Sequence, residues 1–268
     1  MSVRAFALAL CIVGCFSQPA SAQSYGAPVP ASTDRATLRN LAIAREIRER
    51  FTHGMAALDR ADYAAAIGEF EEVLKRNPAE PQNSTAHYNL ALALAGAREF
   101  DRAAVELQAA IARDPGFLAA YANLVTVDLD RNDEAGARAA ADRFIALAPT
   151  SARALYSQGL VALRAGDTAT ARADFNKLVE RNPAYAPAHY DLALVALQSG
   201  HLDVAERELR TALGSAPDYP RARFALGVVF LREGRRSEAR TAFEAVMQNA
   251  SDPSLRNMAS SIHDTIAQ

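Results

Sequence analysis

Five histidines, His53, His87, His189, His201 and His263, are the side chains of this 268-residue chain best suited to general base work or metal ligation near neutral pH. No two of them share metal-ligand spacing with a third acidic or imidazole group. A nucleophile elbow, a Walker loop and a dinucleotide fingerprint are absent as well. The carboxylates are abundant, but residues such as Glu69, Glu71, Glu72, Glu206 and Glu208 fall on the solvated faces of amphipathic helices. An enzyme would need His87, Asp128 and Glu99, or a similar set, to converge within hydrogen-bonding reach around a cavity. The expectation is therefore a non-catalytic protein with no metal and no cofactor.

The elements that must position these side chains are helical. Half of the residues are hydrophobic, there is no Trp, and aromatics make up 7%, so Ala and Leu carry the apolar content and favour helix over strand. A net charge of −2 gives no global attraction to nucleic acid or to an anionic membrane surface. Residues 1–22 read as a secretory signal: Arg4 is the positive start, Ala5 to Phe16 an apolar run too short to span a bilayer, and Pro19-Ala20-Ser21-Ala22 a small-residue cleavage site. Cleavage after Ala22 removes Cys11 and Cys15, the only two cysteines, and leaves a mature chain without thiols. A competing reading takes Ile12-Val13-Gly14-Cys15 as a lipobox, with Cys15 as a lipid anchor; neither reading leaves a transmembrane helix. Residues 23–32, rich in Pro, Ala, Gly and Ser, form a flexible leader.

From Thr33, a candidate N-cap, Leu38, Leu41, Ile43, Ile47, Phe51, Met55 and Leu58 recur at helical spacing and predict one long helix. Beyond it the prolines fix a period: Pro78, Pro115, Pro149, Pro183 and Pro217 are separated by 37, 34, 34 and 34 residues. Twelve residues before each proline stands an alanine (Ala66, Ala103, Ala137, Ala171, Ala205), and Ala239 stands at the next expected place. Twenty-four residues before stand Gly54, Ala91, Val125, Gly159, Ala193 and, by extrapolation, Gly227. Two antiparallel helices of roughly thirteen residues that cross closely need such small residues where their backbones press together. Phe70, Leu107, Ala141, Phe175, Leu209 and Phe243 follow each alanine on the same helical face and fill the space around it. Gly166, Gly200 and Gly234 supply left-handed residues for the turn inside the last three repeats, whereas Ala61, Arg98 and Asn132 occupy that place in the first three, so those turns are expected to differ in detail. The three extra residues between Pro78 and Pro115 are absorbed in a longer loop within Ala79 to Thr85. Leu255, Met258, Ile262 and Ile266 predict a final amphipathic helix that caps the array rather than a seventh repeat.

This pattern resembles the tetratricopeptide repeat family. The second repeat carries it best: His87-Tyr88-Asn89-Leu90-Ala91 opens its first helix, and Phe100, Ala103, Leu107, Ala110 and Pro115 follow in the family's order. The resemblance implies an all-α solenoid of about six helix-turn-helix repeats over residues 33–250, with a capping helix in 251–268. It also implies that the first helices line a concave groove that holds a protein or peptide. On those positions lie the aromatics Phe51, Tyr88, Tyr156, Tyr190 and Phe224, with Thr52, Asn89, Asn123, Ser157 and Asp191 beside them. Asn amides would bond a bound backbone while Tyr rings bury apolar side chains and keep their hydroxyls wet. Asn123 and Arg153 match two positions of the carboxylate clamp seen in some members, but Leu92, Tyr88 and Ser157 replace the others. Arg221, Arg223 and Arg232 gather around Phe224 and would suit an acidic or C-terminal peptide end. His87 and His189 occupy one repeat position and read as helix residues that pack on a neighbour. The expected function is an adaptor or assembly factor of the bacterial cell envelope, periplasmic, with a partner of unknown identity and no nucleic acid. The alternatives are an outer-membrane lipoprotein of a secretion or pilus assembly machine and a self-associating structural repeat protein.

Overall fold

The computed structural model describes residues 35–76 and 83–266. The expected signal, the leader, Thr33, Cys11, Cys15 and Pro78 lie outside the described residues. Thirteen helices, and no strand, make up the described residues, and the chain divides into two compact units between Pro149 and Thr150. The first unit holds three helix pairs: α1 (Arg35–Asp59) with α2 (Tyr63–Arg76), α3 (Asn83–Gly96) with α4 (Phe100–Arg113), and α5 (Leu118–Asp130) with α6 (Glu134–Leu147). The second holds α7 (Ala152–Arg164) with α8 (Thr168–Arg181), α9 (Ala186–Gln198) with α10 (Leu202–Ser215), and α11 (Pro220–Arg232) with α12 (Arg236–Asn249), followed by α13 (Pro253–Ile266). Helix α3 begins at Asn83, so Asn83, Ser84 and Thr85, expected in the loop, form its first turn instead. Short polar side chains suit a first turn, where backbone N–H groups lack intrahelical partners.

Within each pair the second helix presents its recurring alanine to the first. Ala66, Ala103, Ala137, Ala171, Ala205 and Ala239 are all wholly buried. The large residue four positions on is matched in size to what it meets. A Cβ on Gly54 would come within 2.8 Å of Phe70, one on Gly159 within 2.4 Å of Phe175, and one on Gly227 within 2.9 Å of Phe243. Where the first helix carries Ala91 or Ala193, the second carries the smaller Leu107 or Leu209; where it carries Val125, the second carries Ala141, and all six residues are buried. Size is balanced across the pair rather than fixed at either position, as close packing requires.

The six turns inside the repeats turn out alike. Ala61, Arg98 and Asn132 adopt φ of 56°, 65° and 62°, and Gly166, Gly200 and Gly234 adopt 78°, 76° and 78°. Each closes the same pair of hydrogen bonds. In the fourth repeat the Asp167 N–H donates to the Ala162 carbonyl and the Gly166 N–H to that of Leu163; in the second the Glu99 N–H donates to Leu94 and the Arg98 N–H to Ala95. This is the Schellman arrangement, which needs a left-handed residue whatever its side chain. The expectation that the first three turns would differ is thus overturned: the backbone geometry of the helix pair dictates the turn, and the residue type only changes its cost. Asp62, Asp133 and Asp167 then cap the second helices through the N–H groups of Ala65, Gly136 and Thr170.

At the end of the second unit, Leu255 and Ala259 of α13 are buried, and Met258, Ile262 and Ile266 pack against the core made by α9 to α12. The final helix therefore covers an apolar face that α12 would otherwise expose.

Candidate functional site

The first helices are the elements that bring polar and aromatic side chains together in this chain. Helices α3 and α9 are buried along nearly their whole length, and the first helices bury polar residues as well: Asn89 of α3 is 0% exposed, and Asn123 of α5 and Asp191 of α9 are each 2%. Two of these buried groups are tied to a tyrosine one repeat earlier. Asn123 Nδ2 of α5 donates to the Tyr88 hydroxyl of α3 at 3.0 Å. The Tyr156 hydroxyl of α7 donates to Asp191 Oδ2 of α9 at 2.6 Å. Tyr hydroxyls expected in water thus link consecutive first helices. The signal was present in the sequence as a Tyr followed by Asn or Asp 35 residues later, a spacing that the repeat period hides by adding one.

Asn89 lacks this link: its Oδ1 and Nδ2 are buried without a hydrogen-bond partner. The residue that precedes it in the same register is Phe51, which has no hydroxyl. Ser157 turns to its own helix and donates to the Arg153 carbonyl at 3.0 Å. Burial pushes Asp191 up to about 7, against the opposing pull of the Tyr156 hydrogen bond and the nearby Arg221. Asp128 of α5 is likewise pushed by burial up to about 6, with Arg131 3.4 Å away pulling the other way. Neither buried carboxylate was singled out by its sequence position as a shifted acid.

The aromatic series packs both within repeats and onto the start of the next repeat. Phe51 meets Phe70 at 5.5 Å between centroids, Tyr88 meets Phe117 at 4.8 Å, and Tyr156 meets both Phe175 at 5.7 Å and Tyr185 at 5.4 Å. Tyr190 meets Tyr219 at 5.3 Å, and Phe224, wholly buried, meets Phe243 at 5.2 Å. Phe51–Phe70 and Phe224–Phe243 meet edge-on, a favourable arrangement for rings, and the other pairs are tilted. The arginines expected around Phe224 diverge: Arg223 donates to the Pro217 carbonyl at 2.8 Å, Arg232 to the Leu197 carbonyl at 3.0 Å, and Arg221 stands beside Asp191. Arg153 and Arg221 are half-buried in the first turns of α7 and α11.

His87 and His189 each clamp their own repeat. His87 Nδ1 lies 2.5 Å from Glu106 Oε2, and His189 Nδ1 lies 2.8 Å from Glu208 Oε2, each pair spanning 19 residues from first helix to second. His189 Nε2 also donates to the Pro183 carbonyl at 3.0 Å. The set His87, Asp128 and Glu99 is not brought together, because His87 engages Glu106, Asp128 faces Arg131 and Glu99 receives Arg102. Among the described residues no group of His, Cys, Asp and Glu could hold a metal ion, and no helix is long and apolar enough to cross a membrane.

The profile of the tetratricopeptide repeat matches residues 51–116, 123–186 and 190–254, most of the chain. The chain belongs to the tetratricopeptide repeat family. No curated protein matches it in sequence. Among solved structures, a tetratricopeptide repeat protein from Parabacteroides merdae is 17% identical with a TM-score of 0.60, over 83% of this chain and 90% of that one. A chain of the Cut9–Hcn1 hetero-tetramer of the APC/C is 18% identical with a TM-score of 0.67, over 85% of this chain and 45% of that one. MamA from Desulfovibrio magneticus RS-1 is 18% identical with a TM-score of 0.53, over 63% of this chain and 94% of that one. At these identities the likeness shows the fold: an all-α tetratricopeptide solenoid with a capping helix. Tetratricopeptide arrays are in general interaction scaffolds that bind protein or peptide partners.

Proposed function

We propose that this tetratricopeptide array is an adaptor or assembly factor of a bacterial cell envelope, and that it holds its partner on the face made by the first helices. One observation carries the second part. The interior positions repeat from pair to pair, as in the six buried alanines, whereas the outer first-helix positions vary between Thr85, Ala119, Arg153, Pro187 and Arg221 on the same backbone register. Residues that vary while the framework repeats are not needed to build it, and they are where a partner is chosen.

The envelope part is supported by Arg4, the apolar run Ala5 to Phe16 and the Ala20-Ser21-Ala22 site. Lipid anchoring at Cys15 is a second reading, favoured by Ile12-Val13-Gly14 before it. The mass of the mature N-terminus decides between Gln23 and a lipidated Cys15. For the binding face, affinity capture from an envelope extract should recover a partner that is lost with Thr126→Trp plus Gln198→Trp on first helices. The partner should be retained with Val105→Trp plus Asp203→Trp on second helices. Loss with the second pair and retention with the first would place the partner on the opposite face.

A further inference from the structure

Charge is sorted between the two kinds of helix in the second unit. Its second helices α8, α10 and α12 carry seven basic and seven acidic residues. Its first helices α7, α9 and α11 carry five arginines and a single acidic residue, Asp191. Four of those arginines fall on one helix face, at two repeat positions. Arg153 and Arg164 stand eleven residues apart on α7, and Arg221 and Arg232 stand eleven apart at the equivalent positions of α11. Eleven residues are three turns, so each pair shares a face with about 16 Å between its members. On the same face, between the members of each pair, lie Leu160 and Val228, both half-buried. Helix α9, between them, carries the uncharged Pro187, Leu194 and Gln198 at the corresponding places.

The three helices are neighbours: Tyr156 bonds Asp191 from α7 to α9, and Arg232 bonds the Leu197 carbonyl from α11 to α9. The result is a frame of four arginines around an apolar centre. The sole carboxylate on these helices is buried at 2% exposure, where its charge is costly to maintain. The first helices thus carry a net positive charge, whereas the second helices sum to zero.

We infer that the first-helix face of α7, α9 and α11 takes an acidic polypeptide segment of the partner, with carboxylates about four residues apart on either side of an apolar side chain. An extended segment covers about 13 Å in four residues with the two carboxylates and the central side chain on one face, and the long guanidinium arms reach across the remainder of the roughly 16 Å between the arginines of each pair. Guanidinium groups engage carboxylates through paired hydrogen bonds, so the frame favours Asp or Glu over a neutral amide. This inference rests on the reading that the array holds a protein partner and names the chemistry of what is held.

The test uses the full chain and two synthetic ten-residue peptides with Leu at the centre, one with Glu on both sides and one with Gln in those places. Binding is read by fluorescence anisotropy at several salt concentrations. The Glu peptide is expected to bind at least ten-fold tighter than the Gln peptide at low salt, with the preference shrinking as salt rises. Arg153→Gln with Arg221→Gln should remove most of that preference, as should Arg164→Gln with Arg232→Gln, while Arg172→Gln with Arg240→Gln, exposed on the second helices, leaves it intact. Circular dichroism of each variant checks that the helices persist. Equal binding of the two peptides, no binding of either, or a preference that survives both arginine pairs would overturn the inference. The reading of the array as a partner-holding scaffold falls separately, if the capture with first-helix and second-helix variants fails.

Discussion

The two units use one backbone plan and differ in what they place on it. In the first, the left-handed turn residues are Ala61, Arg98 and Asn132; in the second they are all glycine. The buried link between first helices is the neutral Tyr88–Asn123 in the first unit and the ionisable Tyr156–Asp191 in the second. The outer face of α3 and α5 carries Thr85, Gly96, Ala119 and Asp130 where α7 and α11 carry arginine. The framework therefore tolerates these exchanges, and each of them isolates one physical effect inside an otherwise repeated setting.

The largest effect should come from exchanging the buried links. Asp191 has a folded pKa raised to about 7 by burial, above the ordinary carboxylate value. The folded state thus keeps a proton that the unfolded chain releases, so this group favours folding at low pH and that contribution is lost as pH rises through about 7. Asp191→Asn keeps an acceptor for Tyr156 and should stabilise the protein by roughly 2 kcal/mol at pH 8, with little gain at pH 4. Asn123→Asp should impose a similar penalty on the first unit above neutrality. Urea unfolding across that pH range measures both, and a pH-independent effect of Asp191→Asn would remove the account given of that carboxylate.

Exchanging the turns comes next. Ala61→Gly should stabilise by about 1 kcal/mol, and Gly166→Ala should cost about the same, because a Cβ is disfavoured at positive φ while the open space around Gly166 rules out a clash. Thermal unfolding of the two variants checks the opposite signs. The smallest effect is a repair: Phe51→Tyr places a hydroxyl in register with the unpartnered Asn89 and should add about 0.5–1 kcal/mol. That gain should vanish in the background Asn89→Ala.

Most of the fold was legible because its determinants are periodic and local. The prolines, the alanines at Ala66 to Ala239 and the small residues facing Phe70, Phe175 and Phe243 each express one packing requirement repeated at a fixed spacing. What the sequence hid was pairwise. Asn123 and Asp191 look like groove residues when each is read in its own repeat, and only the offset of 35 residues shows that a tyrosine of the preceding repeat engages them. The shifted Asp128 and Asp191 were also invisible, because desolvation depends on everything that surrounds a carboxylate and not on its neighbours in the chain. The identity of the turns was missed for the opposite reason: residue type suggested variety where the helix pair imposes one geometry.

The matched sizes across each helix pair, Gly with Phe, Ala with Leu and Val with Ala, set a rule for how such an array is edited. Helix α5 with its Val125 joined to the Phe70 of α2 would overfill the crossing, and α1 with its Gly54 joined to the Ala141 of α6 would leave it hollow. Recombination that respects the pair keeps these sizes matched and leaves only the links between repeats, such as Tyr88–Asn123, to be remade, whereas recombination inside the turn separates two halves sized for each other. The unit of exchange in this molecule is the hairpin, and its inner turn is where a splice does most harm.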